Sequence, residues 1–296
     1  MTAATRTMTG RFERLPPQLY FVTSAIFHYL GPAFAVLLFA SIAPLGVAWL
    51  RIASAAAIFA LWRRPWRFFR KLGAAERRIV IGLGVVLGLM NGCFYLALER
   101  LPLGTVGAIE FLGPIGLAAF GMRSPRNVVA LGLAAIGVYV LTDARIEGEP
   151  IGYVFAFANC ALFVAYVVLG HKIAAKGAAD GVDRLGAAML VAMAVALPFG
   201  IKDALPALRN PLLLAAGIGV GICSSVIPYV CDQFAMARLP RATFALLLAL
   251  LPATAATIGI VVLHQIPTAA EVAGIVLVIA AVAIHRAEEP GAAATA

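Results

Sequence analysis

The apolar positions of this chain come in long unbroken runs, neither alternating with polar residues nor confined to narrow helical stripes. Ten such runs lie near residues 18–38, 44–62, 79–98, 103–121, 127–142, 151–170, 185–200, 212–234, 242–263 and 269–284. About 17 to 25 consecutive apolar residues make a helix that crosses roughly 30 Å of hydrocarbon, so the pattern predicts ten transmembrane helices. Strands of a membrane barrel would instead alternate apolar and polar residues over about ten positions. Runs 127–142 and 185–200 are short, which predicts tilt or local thinning of the bilayer at both.

One stretch of the pattern occurs twice. Residues 91–114, NGCFYLALERLPLGTVGAIEFLGP, and 229–252, YVCDQFAMARLPRATFALLLALLP, align without a gap at an offset of 138, with eight identities in 24 positions. Each copy leaves one apolar run, passes Arg-Leu-Pro and enters the next, and the copies stand five runs apart. Five crossings are an odd number, so the second copy enters from the opposite face and a pseudo-two-fold axis in the membrane plane relates the halves. Secondary transporters are built this way, with sites near the midplane where the repeats meet. The predicted fold is all-α and integral to the membrane: ten transmembrane helices as two inverted five-helix repeats around a central cavity. Its expected parts are a cytoplasmic tail 1–17, a first repeat 18–142, an external linker 143–150, a second repeat 151–285 and a cytoplasmic tail 286–296.

Composition points to the same solvent: 62% hydrophobic and 12% charged residues, with mean hydropathy +0.97, leave too little polar surface for a water-soluble globule. Charge then orients the chain. With the N-terminus inside, most of the 23 basic residues fall on inner segments, including Arg6, Arg11, Arg14 and the run from Arg63 to Arg78. The outer loops hold only Arg100, Arg145, Lys202 and Arg209. This asymmetry puts both termini in the cytoplasm. The net charge of +9 thus belongs to short loops facing anionic lipid, and nucleic acid is not an expected partner. The longest loop, RRPWRFFRKLGAAERR at 63–78, should lay Trp66, Phe68 and Phe69 in the lipid interface beside its arginines. The first run is a full span with no small-residue cleavage site behind a short core, so it is expected to remain as an anchor. Cys93, Cys160, Cys223 and Cys231 form no CxxC pair, and Walker A, HExxH and GxSxG sequences are absent. Neither metal, cofactor nor enzymatic chemistry is therefore expected.

What remains is a small set of polar groups at membrane depth, where an ionisable side chain costs about 2.5 to 3.5 kcal/mol on insertion scales. Glu110 and Arg51 each sit eighth in a run of 19 residues, near the midplane and out of snorkelling reach. They either pair or bond to backbone, holding two helices in register, or Glu110 faces the cavity to bind a substrate amine or exchange a proton. Asn91, Tyr95, Asn159, Tyr166, Ser225 and Tyr229, with Ser224, fall on the same central belt. Such groups singly serve as interhelical hydrogen bonds; converging on Glu110, they are candidate substrate-binding residues. Phe27, His28 and Tyr29 present an aromatic face just before Gly31-Pro32, and His28 is a second-rank candidate. Pro114, Pro228 and Pro252 each remove a backbone donor within a run, giving either static kinks or gating points.

These residues resemble the ten-helix EamA-type transporters of the drug/metabolite transporter superfamily, over nearly the whole chain. The likeness is densest at PWR (65–67), at Met90-Asn91 and Phe94-Tyr95 running through Leu-Pro-Leu-Gly into GAIEFLGP (107–114), and at IPY (227–229) followed by Asp232 and RLP. Within that superfamily the chain is most similar to the bacterial threonine/homoserine exporter branch. The resemblance implies a secondary active transporter in the bacterial cytoplasmic membrane, without ATP or cofactor, exporting a small amphipathic metabolite such as an amino acid by alternating access. Two readings stand behind it: an exporter of hydrophobic or aromatic compounds, and a non-transporting intramembrane enzyme or lipid-binding protein. The chain departs from the family pattern at the ninth span, where Leu251-Pro252 and His264-Gln265 replace a Glu before the proline and a later Gly-Glu.

Overall fold

The computed structural model describes residues 16–121, 125–143, 149–175, 177–239 and 250–284. Those residues form helices and turns, with no strand among them. In chain order the helices are α1 Pro17–Leu38, α2 Pro44–Arg63, α3 Pro65–Phe69, α4 Ala74–Leu98, α5 Leu103–Gly121 and α6 Pro125–Asp143. There follow α7 Pro150–Ala174, α8 Ala178–Arg209, α9 Pro211–Met236, α10 Leu250–Leu263 and α11 Ala269–Ile284. Six of them, α1, α2, α4, α7, α8 and α9, are long and apolar enough to cross a membrane, and α5, α6, α10 and α11 carry shorter apolar stretches. The predicted tails and most of the predicted linker lie outside the described residues, as do the side chains of Pro114 and Pro252.

Proline sets where many helices begin. Pro17, Pro44, Pro65, Pro150 and Pro211 open α1, α2, α3, α7 and α9, where the missing N–H removes nothing and the fixed φ suits a first turn. At α9 the Asn210 side chain also accepts from the Leu212 and Leu213 amides at 3.0 and 3.4 Å. The run at 185–200 corrects a sequence expectation: its helix, α8, has 32 residues. Its polar first turns are satisfied by partners on other helices, so hydropathy underestimates its length. Asp183 pairs with Arg63 at 2.6 Å, and Arg184 pairs with Glu76 at 3.3 Å while lying over the Phe68 ring. The 63–78 loop is accordingly tied to the bundle: Phe68 and Phe69 pack against the core, and Trp66 remains exposed.

Close backbone approaches hold the bundle together, as expected where lipid supplies no hydrophobic drive between helices. A methyl group on Gly46 would meet the Asp203 backbone at 2.5 Å, and one on Gly200 the Leu45 carbonyl at 2.4 Å, so α2 and α8 touch nearly main chain to main chain. The polarity of the bundle is reversed relative to a soluble protein. Leu61, Leu212 and Val261 are 83%, 77% and 67% exposed, whereas Arg51, Glu110 and Asp232 are 3%, 1% and 6% exposed.

Candidate functional site

Three clusters of buried polar groups lie along α1, α2, α4, α5, α7 and α9. The first is built around a break in α9, where Ile222–Val226 form a single π turn followed by Pro228. Pro228 has no N–H to give the carbonyl four residues before it, that of Ser224. Arg51 supplies the donor from α2: its Nη2 donates to the Ser224 carbonyl at 2.6 Å and its Nε to Ser225 Oγ at 2.8 Å. Longer bonds of 3.4 Å run to the Tyr95 and Tyr229 hydroxyls, whose rings lie 5.6 and 5.9 Å from the guanidinium carbon. Glycine makes room for the arrangement. A Cβ at Gly31 would meet Ser224 Oγ at 2.1 Å, and one at Gly221 would meet Ser54 Oγ at 1.8 Å and the Arg51 carbonyl at 2.8 Å.

In the second cluster, Glu110 of α5 accepts from the Tyr29 hydroxyl at 3.0 Å and from Asn159 Nδ2 at 2.9 Å. Arg51 is not within ion-pair distance of it, and among the described residues no salt bridge reaches either group. The direct pairing considered from sequence is thus absent; each charge is held by neutral groups of other helices.

The third cluster was not expected from the sequence. Asp232 accepts from Ser24 Oγ at 2.5 Å and from the Tyr166 hydroxyl at 2.8 Å, and Ser24 Oγ also lies 3.2 Å from the Pro228 carbonyl. Asp232 stands two residues inside the end of its apolar run and so reads as interfacial, yet the fold buries it. The signal available was a lone acid one turn after the Pro228 break. A small cavity with room for about one water lies beside it, lined in part by Phe21, Ser24, His28, Phe163, Tyr166 and Asp232.

Aromatic rings connect the clusters. His28 lies 5.4 Å from Tyr29, 6.1 Å from Phe163 and 6.4 Å from Tyr229, and Tyr166 lies 5.4 Å from Tyr229. Of the residues singled out from sequence, Arg51, Tyr95, Ser225 and Tyr229 meet in the first cluster, and Glu110 and Asn159 in the second. Tyr166 belongs to the third, and His28 lies among all three. Asn91 donates to the Leu87 carbonyl of its own helix at 2.8 Å and also meets the Tyr229 hydroxyl, which places it at the edge of the first cluster. Gln265, in place of a family acid, accepts from the Leu103 amide at 3.1 Å and so caps α5. Among the described residues no three His, Cys, Asp or Glu side chains are grouped to hold a metal, and the four cysteines are free.

A helical bundle that leaves large apolar side chains on its outer surface and keeps ionisable groups in its interior has the character of an integral membrane protein. Comparison with known proteins narrows the class. Residues 150–286 match the EamA-like transporter family. A threonine/homoserine exporter RhtA of Escherichia coli (strain K12) is 31% identical over 254 residues, 85% of this chain and 84% of that one. Its counterpart from Salmonella typhimurium (strain LT2) is 29% identical over 280 residues, 93% of each chain. A solved crystal structure superposes with a TM-score of 0.59 at 20% identity, covering 90% of this chain and 95% of the other, a likeness that bears on fold alone. The chain belongs to the EamA-like transporter family, a family of transporters rather than enzymes.

Proposed function

We propose that this protein is a secondary exporter of a small amino-acid-like metabolite, working by alternating access of two inverted five-helix repeats. In this reading both termini and the basic 63–78 segment face the cytoplasm, in accord with the distribution of Arg and Lys. The observation that carries the reading is the 31% identity, over 85% of this chain, to proteins named threonine/homoserine exporters. Glu110 is the group assigned to the cycle. A buried carboxylate with two neutral donors, and no cation within ion-pair distance among the described residues, can take a substrate ammonium or a proton, and its repeat equivalent is Leu248. Arg51 is assigned a structural role, since its donors serve α9.

Export by cells is the first test. A strain lacking its own amino-acid exporters and expressing this protein should survive high external threonine or homoserine and release preloaded label faster than cells with the empty vector. No gain for any member of an amino-acid panel would count against the reading. One observation favours a second class of cargo: the rings of His28, Phe163, Tyr166 and Tyr229 between the clusters suit an aromatic compound. Aromatic amino acids and amines therefore belong in the same panel.

A further inference from the structure

The Asp232 cluster has the construction of a binding site. Its carboxylate is buried, receives two hydroxyl hydrogens and has no cation within ion-pair distance among the described residues. The adjoining cavity supplies the Phe21 and Phe163 rings beside His28, and aromatic faces next to a carboxylate suit a small cation better than an anion. Ser24 provides an adjustable part. It has one hydroxyl hydrogen and two acceptors in reach, Asp232 Oδ1 at 2.5 Å and the Pro228 carbonyl at 3.2 Å. When an ammonium donates to Asp232, Ser24 can turn its hydrogen to the Pro228 carbonyl and offer its oxygen to the ligand, leaving every polar group bonded.

The same helices that build this cluster also build the Glu110 cluster. On α1, Ser24 serves Asp232 and Tyr29 serves Glu110; on α7, Tyr166 serves Asp232 and Asn159 serves Glu110. Asn159 and Tyr166 are seven residues apart, so the carboxylates are served from points about 10 Å apart along α7 at 1.5 Å per residue. His28 and Phe163 lie between them, on the same two helices.

We propose that Asp232, with Ser24 and Tyr166, is a second station for the substrate's primary ammonium group, occupied before Glu110 as the substrate enters from the cytoplasmic side. The entry direction rests on the export reading above; the ammonium site does not. Phe163 on α7 and His28 on α1 stand between the stations, their rings 6.1 Å apart.

The test uses the full-length protein in proteoliposomes, with L-threonine and its 2-hydroxy counterpart as transported probes and n-butylamine as a binding probe. Asp232→Asn keeps the size of the side chain and removes the charge. It should raise the KM for L-threonine on the cytoplasmic face at least tenfold, with maximal rate within threefold, and should abolish inhibition by n-butylamine. The ammonium-free hydroxy acid, if carried, should show no such change, and Asp232→Glu should restore the KM in part. Ser24→Ala and Tyr166→Phe should each raise the KM at least threefold, which keeps the proposal open to refutation if Asp232→Asn fails to fold. An unchanged KM and retained amine inhibition overturn the station while leaving the export reading intact. Loss of dependence on a pH gradient at unchanged KM also overturns it and makes Asp232 a proton site. Wild-type protein that carries no member of the amino-acid panel overturns the export reading instead. Thermal stabilisation by n-butylamine, present in wild type and absent in Asp232→Asn, then still decides whether the ammonium site exists.

Discussion

Glu110 is held in the interior by one phenol and one amide, donors that satisfy a carboxylate without cancelling its charge. A residue kept only for packing would tolerate a neutral isostere, so the proposed role makes a sharp prediction. Glu110→Gln should lower flux at least tenfold while expression, insertion and thermal stability stay near wild type, as read by labelled efflux and a melting curve on the same preparation. Near-normal flux would leave the residue a helix-packing contact. The sequence made Glu110 and Arg51 conspicuous because an ionisable group inside an apolar run carries an insertion cost that something must offset. It did not reveal what offsets it. Arg51 answers to a carbonyl that Pro228 leaves without its usual amide, which depends on how α2 meets α9 in space. Asp232 was missed because distance from the end of a run is a poor guide to burial once neighbouring helices extend past it.

Among the elements, α9 is the most consequential, since its π turn and proline bring Ser224, Ser225 and Tyr229 into one cluster and Asp232 into another. The break at Pro228 was legible from the sequence, but the π turn was not, because the backbone bonds it relinquishes are met by another helix. If Arg51 serves chiefly to satisfy the Ser224 carbonyl, Arg51→Met should destabilise the protein by about 1–3 kcal/mol, the usual range for a buried polar group left unpaired. Adding Pro228→Ala supplies a backbone N–H nearby and should recover part of that loss. Melting midpoints of both single variants and the double variant measure the coupling, and strictly additive losses would refute the link. At the crossing beside the break, Gly221→Val should cost more than the single variants, because its side chain would press on the Arg51 carbonyl, a main-chain atom that cannot rotate away. The same crossing should then fail first on heating.

On the scale of the whole molecule, six of the runs in the sequence coincide with helices of membrane-spanning length, and α8 is longer than its run because its ion-paired first turns are not apolar. Contacts at one end of the bundle join the N-terminal part of α1 to the C-terminal end of α9, through Arg238 over the Tyr20 ring at 4.9 Å, and the end of α2 to the start of α8. With the proposed orientation, reporter fusions at Lys71 and Glu289 should read as cytoplasmic and one at Asp203 as external; ends on opposite faces would refute ten crossings. The account as a whole stands on transport through a site that contains Glu110. Its most direct measurement is counterflow of labelled L-threonine into proteoliposomes preloaded with unlabelled amino acid, for wild type and Glu110→Gln side by side. Wild type should accumulate label rapidly, and the variant should show at least a tenfold loss. Equal accumulation by the two proteins, or none by wild type across the amino-acid panel, would contradict it.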